Sequence, residues 1–192
     1  NAQVKLIGWN SASAASTGLQ VSRWDVEVAR NAHCELDQIE ALEGAVHCVH
    51  FPNVVQATNS HFRIHSVSPQ QHWSRHDLRI RLEGEHTETI LHGCSLPQGT
   101  EFIDHHTTVD HRMPHCRSEE DYRSVLYDQA TGVFNGKVFV RPDAQKTDAY
   151  QKSANILASD HATLHAKPEL EIYADDVKCS HGCTVGQLDE EA

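Results

Sequence analysis

Apolar and polar residues alternate along much of this chain with a period of two. Trp24-Asp25-Val26-Glu27-Val28 and Leu78-Arg79-Ile80-Arg81-Leu82 alternate cleanly, and His61-Phe62-Arg63-Ile64-His65 and Leu170-Glu171-Ile172 repeat the pattern in shorter form. Successive side chains of a strand point to opposite faces, so this period predicts strands with one buried and one solvated face. No run of a dozen residues carries a sustained helical stripe. One helical turn is predicted at Ser118-Glu119-Glu120-Asp121, a weak capping box ahead of Tyr122, Val125 and Leu126. The chain reads as mostly β.

The strand ends recur with a related corner. VARNAHCEL (28–36), LEGEHTETI (82–90) and LASDHATLH (157–165) each place a residue tolerant of positive φ (Asn31, Gly84 or Asp160) between a strand end and a second short strand. A strand–corner–strand unit repeated irregularly, with few helices, is the requirement of a β-solenoid. A sandwich of antiparallel hairpins also gives short strands and turns, but its Asn-Gly or Asp-Gly signature occurs only at Asn135-Gly136. The pattern slightly favours the solenoid without fixing its period. A solenoid exposes strand edges at both ends, so each end requires a cap or a partner. The closing QLDEEA (187–192) reads as the first turn of a helix, with carboxylates suited to a helix N-terminus.

Composition narrows the function classes. The 192 residues suit one domain, and 16 basic against 27 acidic side chains give a net charge of −11. That balance opposes sequence-independent nucleic-acid binding and docking on an anionic membrane. No apolar run approaches the roughly 18 residues of a membrane span, and no signal peptide is visible, although the chain begins at Asn1. Six cysteines spread through a chain too large to need staples, several beside one of sixteen histidines (His33–Cys34, His47–Cys48, His115–Cys116), suggest a reducing, cytoplasmic protein rich in soft ligands.

Several standard sites are excluded. Gly132 and Gly136 enclose three residues rather than four, and Val138 follows Lys137, so a P-loop fails; GxSxG, HExxH, an EF-hand loop and paired CxxC motifs are absent. Two clusters remain. In IDHHTTVDHRMPHC (103–116) a strand puts Ile103, His105, Thr107, Val109 and His111 on one face, with Asp104, His106 and Asp110 on the other. The histidines then either form a zinc-like centre or pack as polar strand residues bonded to Asp104 and Asp110; their division between faces, with His115 and Cys116 beyond, weakens a single site. In KCSHGCTVG (178–186) an extended backbone projects Cys179, His181 and Cys183 to one side, neighbours roughly 6.6–6.8 Å apart. Thiolate and imidazole suit iron–sulfur clusters, zinc and Cu(I), but three ligands on one strand do not close a coordination sphere, so a second chain would supply the rest. The bland reading is two buried thiols and a surface histidine.

The runs GVFNGKVFVRPDAQKTDA (132–149), KPELEIYADDVKCSHG (167–182) and TVGQLDEEA (184–192), with FIDHHTTVDHRMPHCRS (102–118) upstream, closely resemble the SufD family of iron–sulfur cluster assembly proteins. The resemblance covers roughly residues 100–192; the strand-rich first half is compatible but not diagnostic. It implies a single right-handed parallel β-helix core, residues 1–192, of a protein with flanking helical regions, the C-terminal one following residue 192. It further implies a heterodimer with SufB through the last coils, and SufC ATPase docked on that C-terminal region. A nascent cluster, transient and shared between subunits, would form at the SufB interface, with His181 as ligand and Cys179 as a secondary candidate; none is expected on the isolated core. Cys183 stands where the family is expected to carry a small residue.

Three readings follow. The first is a non-catalytic scaffold whose terminal coil pairs with SufB or with a second copy. A β-helical polysaccharide lyase or hydrolase is the second, with Asp175 and Asp176 holding Ca²⁺ near Arg141 or Lys167. Three Trp and four Tyr are few for a sugar-stacking groove, which counts against it. The third is a self-associating structural core with no competent site.

Overall fold

A computed structural model describes residues 2–187, and among these there are only strands and connecting turns. In chain order they are β1 (Gln3–Ala12), β2 (Thr17–Val28), β3 (His33–Leu42), β4 (Ala45–Gln56), β5 (His61–Gln70), β6 (Trp73–Leu82), β7 (Glu88–Ser95), β8 (Phe102–His111), β9 (Arg117–Leu126), β10 (Thr131–Val140), β11 (Asp148–Leu157), β12 (Thr163–Ile172) and β13 (Lys178–Gln187). Odd-numbered strands form one parallel sheet, in the order β1-β3-β5-β7-β9-β11-β13. Even-numbered strands form the other, from β2 to β12. The chain therefore winds as a β-solenoid of about six coils, alternating between the two sheets.

The two-residue period is what makes this packing possible. Along β3 every second residue is buried (Cys34, Leu36, Gln38, Glu40, Leu42), and the same alternation runs through β4, β5, β6 and β10. Inward aliphatic and aromatic side chains from both sheets, including Leu36, Val54, Phe62, Ile64, Ile80, Leu91, Val109 and Phe134, meet in one core, and Val138, Val140, Ala144, Ala149 and Ala174 form a second near the C-terminal end. Burial of these groups drives the coiling, and the ladders satisfy the backbone that burial dehydrates.

The corners stack as the strands do. Asn31, Asn59, His86, His115 and Lys146 all take left-handed backbone conformations, with φ of 58°, 57°, 57°, 59° and 62°. They recur about every 28 residues, one per coil. Each passes its N–H to the next coil: Asn31 to Thr58 O at 3.1 Å, Asn59 to Glu85 O at 2.9 Å, His115 to Gln145 O at 2.9 Å. Side chains stack too, Asn59 Nδ2 donating to Asn31 Oδ1 at 3.1 Å and the rings of His86 and His115 lying 4.9 Å apart.

Asn31 thus has the predicted corner conformation, whereas Gly84 and Asp160 do not; His86 holds the left-handed position in Gly84's corner. Gly84 serves a different purpose: a Cβ there would lie 2.0 Å from Thr58 N and 2.4 Å from Ala57 C, so its missing side chain lets two coils' backbones touch. The helical turn predicted at Ser118–Asp121 is strand instead, within β9. Ser118, Glu120 and Tyr122 point inward as alternate residues, and ladders to β7 and β11 satisfy a backbone that one isolated turn would leave unpaired. Asn135-Gly136 lies in mid-β10 rather than in a hairpin. Of the predicted QLDEEA helix, Gln187 ends β13 and residues 188–192 lie outside the described residues.

The two ends differ in chemistry. The β1–β2 end exposes Val4, Leu6, Ile7, Trp9, Leu19, Val21 and Trp24. The β12–β13 end presents Lys167, Glu171, His181 and Cys183 among its part-buried and exposed residues.

Substituting Gly84→Ala should destabilise the chain by about 3 kcal/mol or more, since backbone must move. Gly182→Ala, with nothing within 4 Å of its added Cβ, should change stability by less than about 0.5 kcal/mol. Urea unfolding of the two variants checks this.

Candidate functional site

The last described rung carries the predicted cluster. β13 pairs with β11 in the register Ala149↔Cys179, Gln151↔His181 and Ser153↔Cys183. Ala149, Gln151 and Ser153 are 0%, 3% and 0% exposed, so the three β13 side chains continue inward-facing columns. They share one side, as the spacing predicted. No further described rung lies on them, which leaves His181 and Cys183 exposed and Cys179 half-buried against the Val138–Ala174 core. Burial pushes the Cys179 thiol up, Asp148 adding to the effect and the Ala149 backbone opposing it. The three ligand atoms do not converge on one centre; each offers at most one bond to an ion held from the far side.

The column beneath His181 changes character along the solenoid. In its lower part it is aliphatic, Leu36, Ile64 and Leu91 stacking in register. Glu120 then sits on Leu91, Gln151 on Glu120 and His181 on Gln151. Glu120 is 1% exposed; its Oε2 accepts from Thr107 Oγ1 at 2.6 Å and its Oε1 from Gln151 Nε2 at 3.3 Å. Burial outweighs these two bonds and pushes the carboxyl up to about 7.

The facing sheet holds a second buried polar column that sequence reasoning missed. His50, His76 and His105 stack in register, with centroids 5.1 and 4.8 Å apart, and His105 tilts onto Tyr122 at 5.2 Å. Glu40, 1% exposed, lies between two of them, Oε1 at 2.6 Å from His50 Nε2 and Oε2 at 3.0 Å from His76 Nε2. Burial opposes ionisation of Glu40, but the two imidazoles prevail and hold its carboxyl well below the usual range. The signal was a recurrence of His at one coil's separation, which is invisible until the coil length is known.

The 103–116 segment divides as predicted, and the division dissolves it as a single centre. His105 and His111 are buried, His111 Nε2 lying 2.9 Å from Ser118 Oγ, while His106 faces outward against Asp104 at 2.9 Å and His115 occupies a corner. Asp110 is held by Arg112 and Arg141 at 2.8 and 2.9 Å. The candidate Ca²⁺ carboxylates are not convergent either: Asp176 pairs with Lys146, Arg141 with Asp110 and Lys167 with Glu169. Among the described residues, the group of potential ligand atoms lying within 4.8 Å of one another is Glu35, Asp37 and His65, from neighbouring strands. The Lys5 ammonium sits 2.6 and 2.9 Å from its two carboxylates, offsets one of their two charges and occupies the place a cation would take.

All 192 residues match the family described as SUF system FeS cluster assembly, SufBD core domain. The match thus reaches the N-terminal half, where the sequence motifs were not diagnostic. The chain is 32% identical over 170 residues to the iron-sulfur cluster assembly protein SufD of Escherichia coli, covering 88% of this chain and 40% of that protein. It is 35% identical over 138 residues to the SufBD family protein slr0076 of Synechocystis, covering 72% and 30%, and 29% identical over 168 residues to protein ABCI7, chloroplastic, of Arabidopsis thaliana, covering 87% and 35%. The chain therefore spans two fifths or less of the length of these relatives.

The buried histidines set a pH dependence. Burial, with His76 adding to it, pushes His105 down to about 3, and burial pushes His111 down to about 4 against the pull of Asp110. Below the ordinary 6.5 the unfolded chain takes up protons at both rings while the folded chain does not, so stability present above that pH is lost as it falls toward 4 and 3. Glu120 acts in the opposite sense. Its folded pKa lies above the unfolded one, so its contribution is present below 4.5 and lost as pH rises through about 7. The two histidines thus favour pH 7 over pH 5, a difference that Glu120 and the burial-raised carboxyls of Glu101 and Asp104 oppose. His105→Phe, which loses no partner at the unbonded Nε2, should shrink that difference by about 2 kcal/mol in urea unfolding at the two pH values.

Proposed function

Because this chain belongs to the SufBD core family of the SUF iron–sulfur cluster assembly system, we propose that it acts as an assembly scaffold, without catalysis of its own, for a cluster shared with a second subunit. The cluster is cargo here, built and passed on. His181 is the ligand this chain offers, with Cys179 beside it in the next inward column as the secondary candidate. The partner is SufB, docking on the β13 edge by strand addition; the ATPase SufC would bind elsewhere in the full-length protein.

The observation that carries this reading is the placement of His181. It continues an interior column yet is exposed, on a strand that is the last of its sheet among the described residues, with no described strand on its outer edge. An imidazole so placed meets an ion at an interface, where a partner completes the coordination that one strand does not. Soft donors on β13, and the pairing of Asp176 with Lys146 rather than with a convergent set of oxygen ligands, support iron–sulfur cargo over a Ca²⁺-dependent polysaccharide reaction. The acidic net charge supports a protein partner rather than nucleic acid or an anionic membrane, and six free thiols agree with the reducing cytoplasm.

In the complex of full-length protein with its SufB partner, His181→Ala should lower the cluster formed on reconstitution by about tenfold or more, read by iron content and visible absorbance, with far-UV circular dichroism unchanged. Cys179→Ser should cost less. Full cluster yield from the His181 variant would remove that residue from the site. Mass measurement of this chain with and without SufB separates heterodimer from homodimer.

A further inference from the structure

We propose that Gln151, locked by Glu120, is a positioning residue for His181: its carbonyl, unbonded in this structure, accepts the N–H of one ring nitrogen when the imidazole turns onto it, and leaves the other nitrogen's lone pair directed out of the solenoid's end. This rests on the reading of His181 as a ligand and adds the device that prepares it.

The column beneath His181 carries polarity that the fold does not need. In this same column Leu36, Ile64 and Leu91 fill the interior with aliphatic groups at 2%, 1% and 0% exposure, so the fold does not require polarity there. At the next coil the column switches to a carboxyl and then to a carboxamide, both almost fully buried. Burying such groups is costly unless every polar atom is bonded. Most of them are. Glu120 has Thr107 on one oxygen and the Gln151 amide on the other. That bond occupies the NH₂ of Gln151 and so fixes which end of the amide is which. The atom left over is Gln151 Oε1, a buried acceptor without a partner. The next side chain in the column is the imidazole of His181, which carries an N–H.

The opposite wall is shaped for the same amide. A Cβ on Gly136 would lie 2.4 Å from Gln151 Nε2 and 2.9 Å from its Cδ, so the absence of a side chain in mid-β10 is what admits the carboxamide. The Asn135-Gly136 pair, which resembled a turn signal, therefore serves packing against Gln151. A ligating histidine commonly donates its other ring N–H to a carbonyl or carboxylate, which fixes its tautomer and raises its basicity; loss of that acceptor typically weakens metal affinity 10- to 100-fold.

The test is ¹⁵N NMR of the imidazole of His181 in the full-length protein at pH 8, together with anaerobic titration of Fe(II) into its complex with SufB. The wild-type ring should show one dominant tautomer. In Gln151→Met, which keeps length and removes the acceptor, the tautomers should approach the mixture of a free imidazole, and Fe(II) affinity should fall about tenfold. Glu120→Gln, which frees the Gln151 amide to flip, should blur the tautomer preference in part. A wild-type His181 with the mixed tautomers of an unconstrained ring, or an unchanged tautomer in Gln151→Met or in Glu120→Gln, would overturn the proposal. The wild-type spectrum decides even if a variant fails to fold. Should Fe(II) binding survive His181→Ala while the tautomer still responds to Gln151, the ligand reading fails and the hydrogen bond stands.

Discussion

Parallel in-register pairing is the constraint on which the rest of the structure depends. Apart from a register shift between Ile39 and Ala41, paired residues lie one coil apart, so inward side chains form columns whose members must tolerate one another at strand separation, about 4.8 Å. This is why like stacks on like: Asn31 with Asn59 at the corner, His50 with His76 and His105 inside, His65 with His92 on the outer face. A misfit is compensated by its column or by the wall it faces. Gly84 and Gly136 are two such compensations, one where backbones meet and one where a carboxamide of the opposite sheet needs room.

Within that constraint the interior is graded rather than uniformly oily. The aliphatic column of β3, β5 and β7 gives way to Glu120, Gln151 and His181 toward the last described rung, while three histidines of the facing sheet stack on one another and two of them meet Glu40 of β3. Buried ionisable groups of this kind contribute little net stability, since desolvation consumes most of the attraction between them. The same burial that makes His105 and His111 resist protonation raises Glu120 to about 7. Such groups are retained where a fixed proton or a fixed orientation is useful, and the polar column ends at His181 on the last described rung.

Much of the architecture was legible in the residues. The two-residue alternation at Trp24–Val28, His61–His65, Leu78–Leu82 and Leu170–Ile172 located strands correctly, because side-chain direction is a local property of extended backbone. The same rule sorted His105 and His111 from His106, and put Cys179, His181 and Cys183 on one side. The capping-box pattern at Ser118 misled because its Ser and Glu face the interior of β9, where ladder bonds on both sides outweigh a weak local signal. Gly84 misled because glycine answers to close approach as well as to positive φ.

By itself, then, the sequence determined that the chain is mostly strand, which residues share a face where the alternation is clean, and that one C-terminal stretch carries two thiols and an imidazole on a single side. The tertiary structure alone decided which residues are stacked together: Glu40 between His50 and His76, and Gln151 beneath His181. The reason is that a strand's facing follows from its own two-residue repeat, whereas stacking depends on the length of every intervening corner. Those lengths vary from coil to coil and leave no local trace.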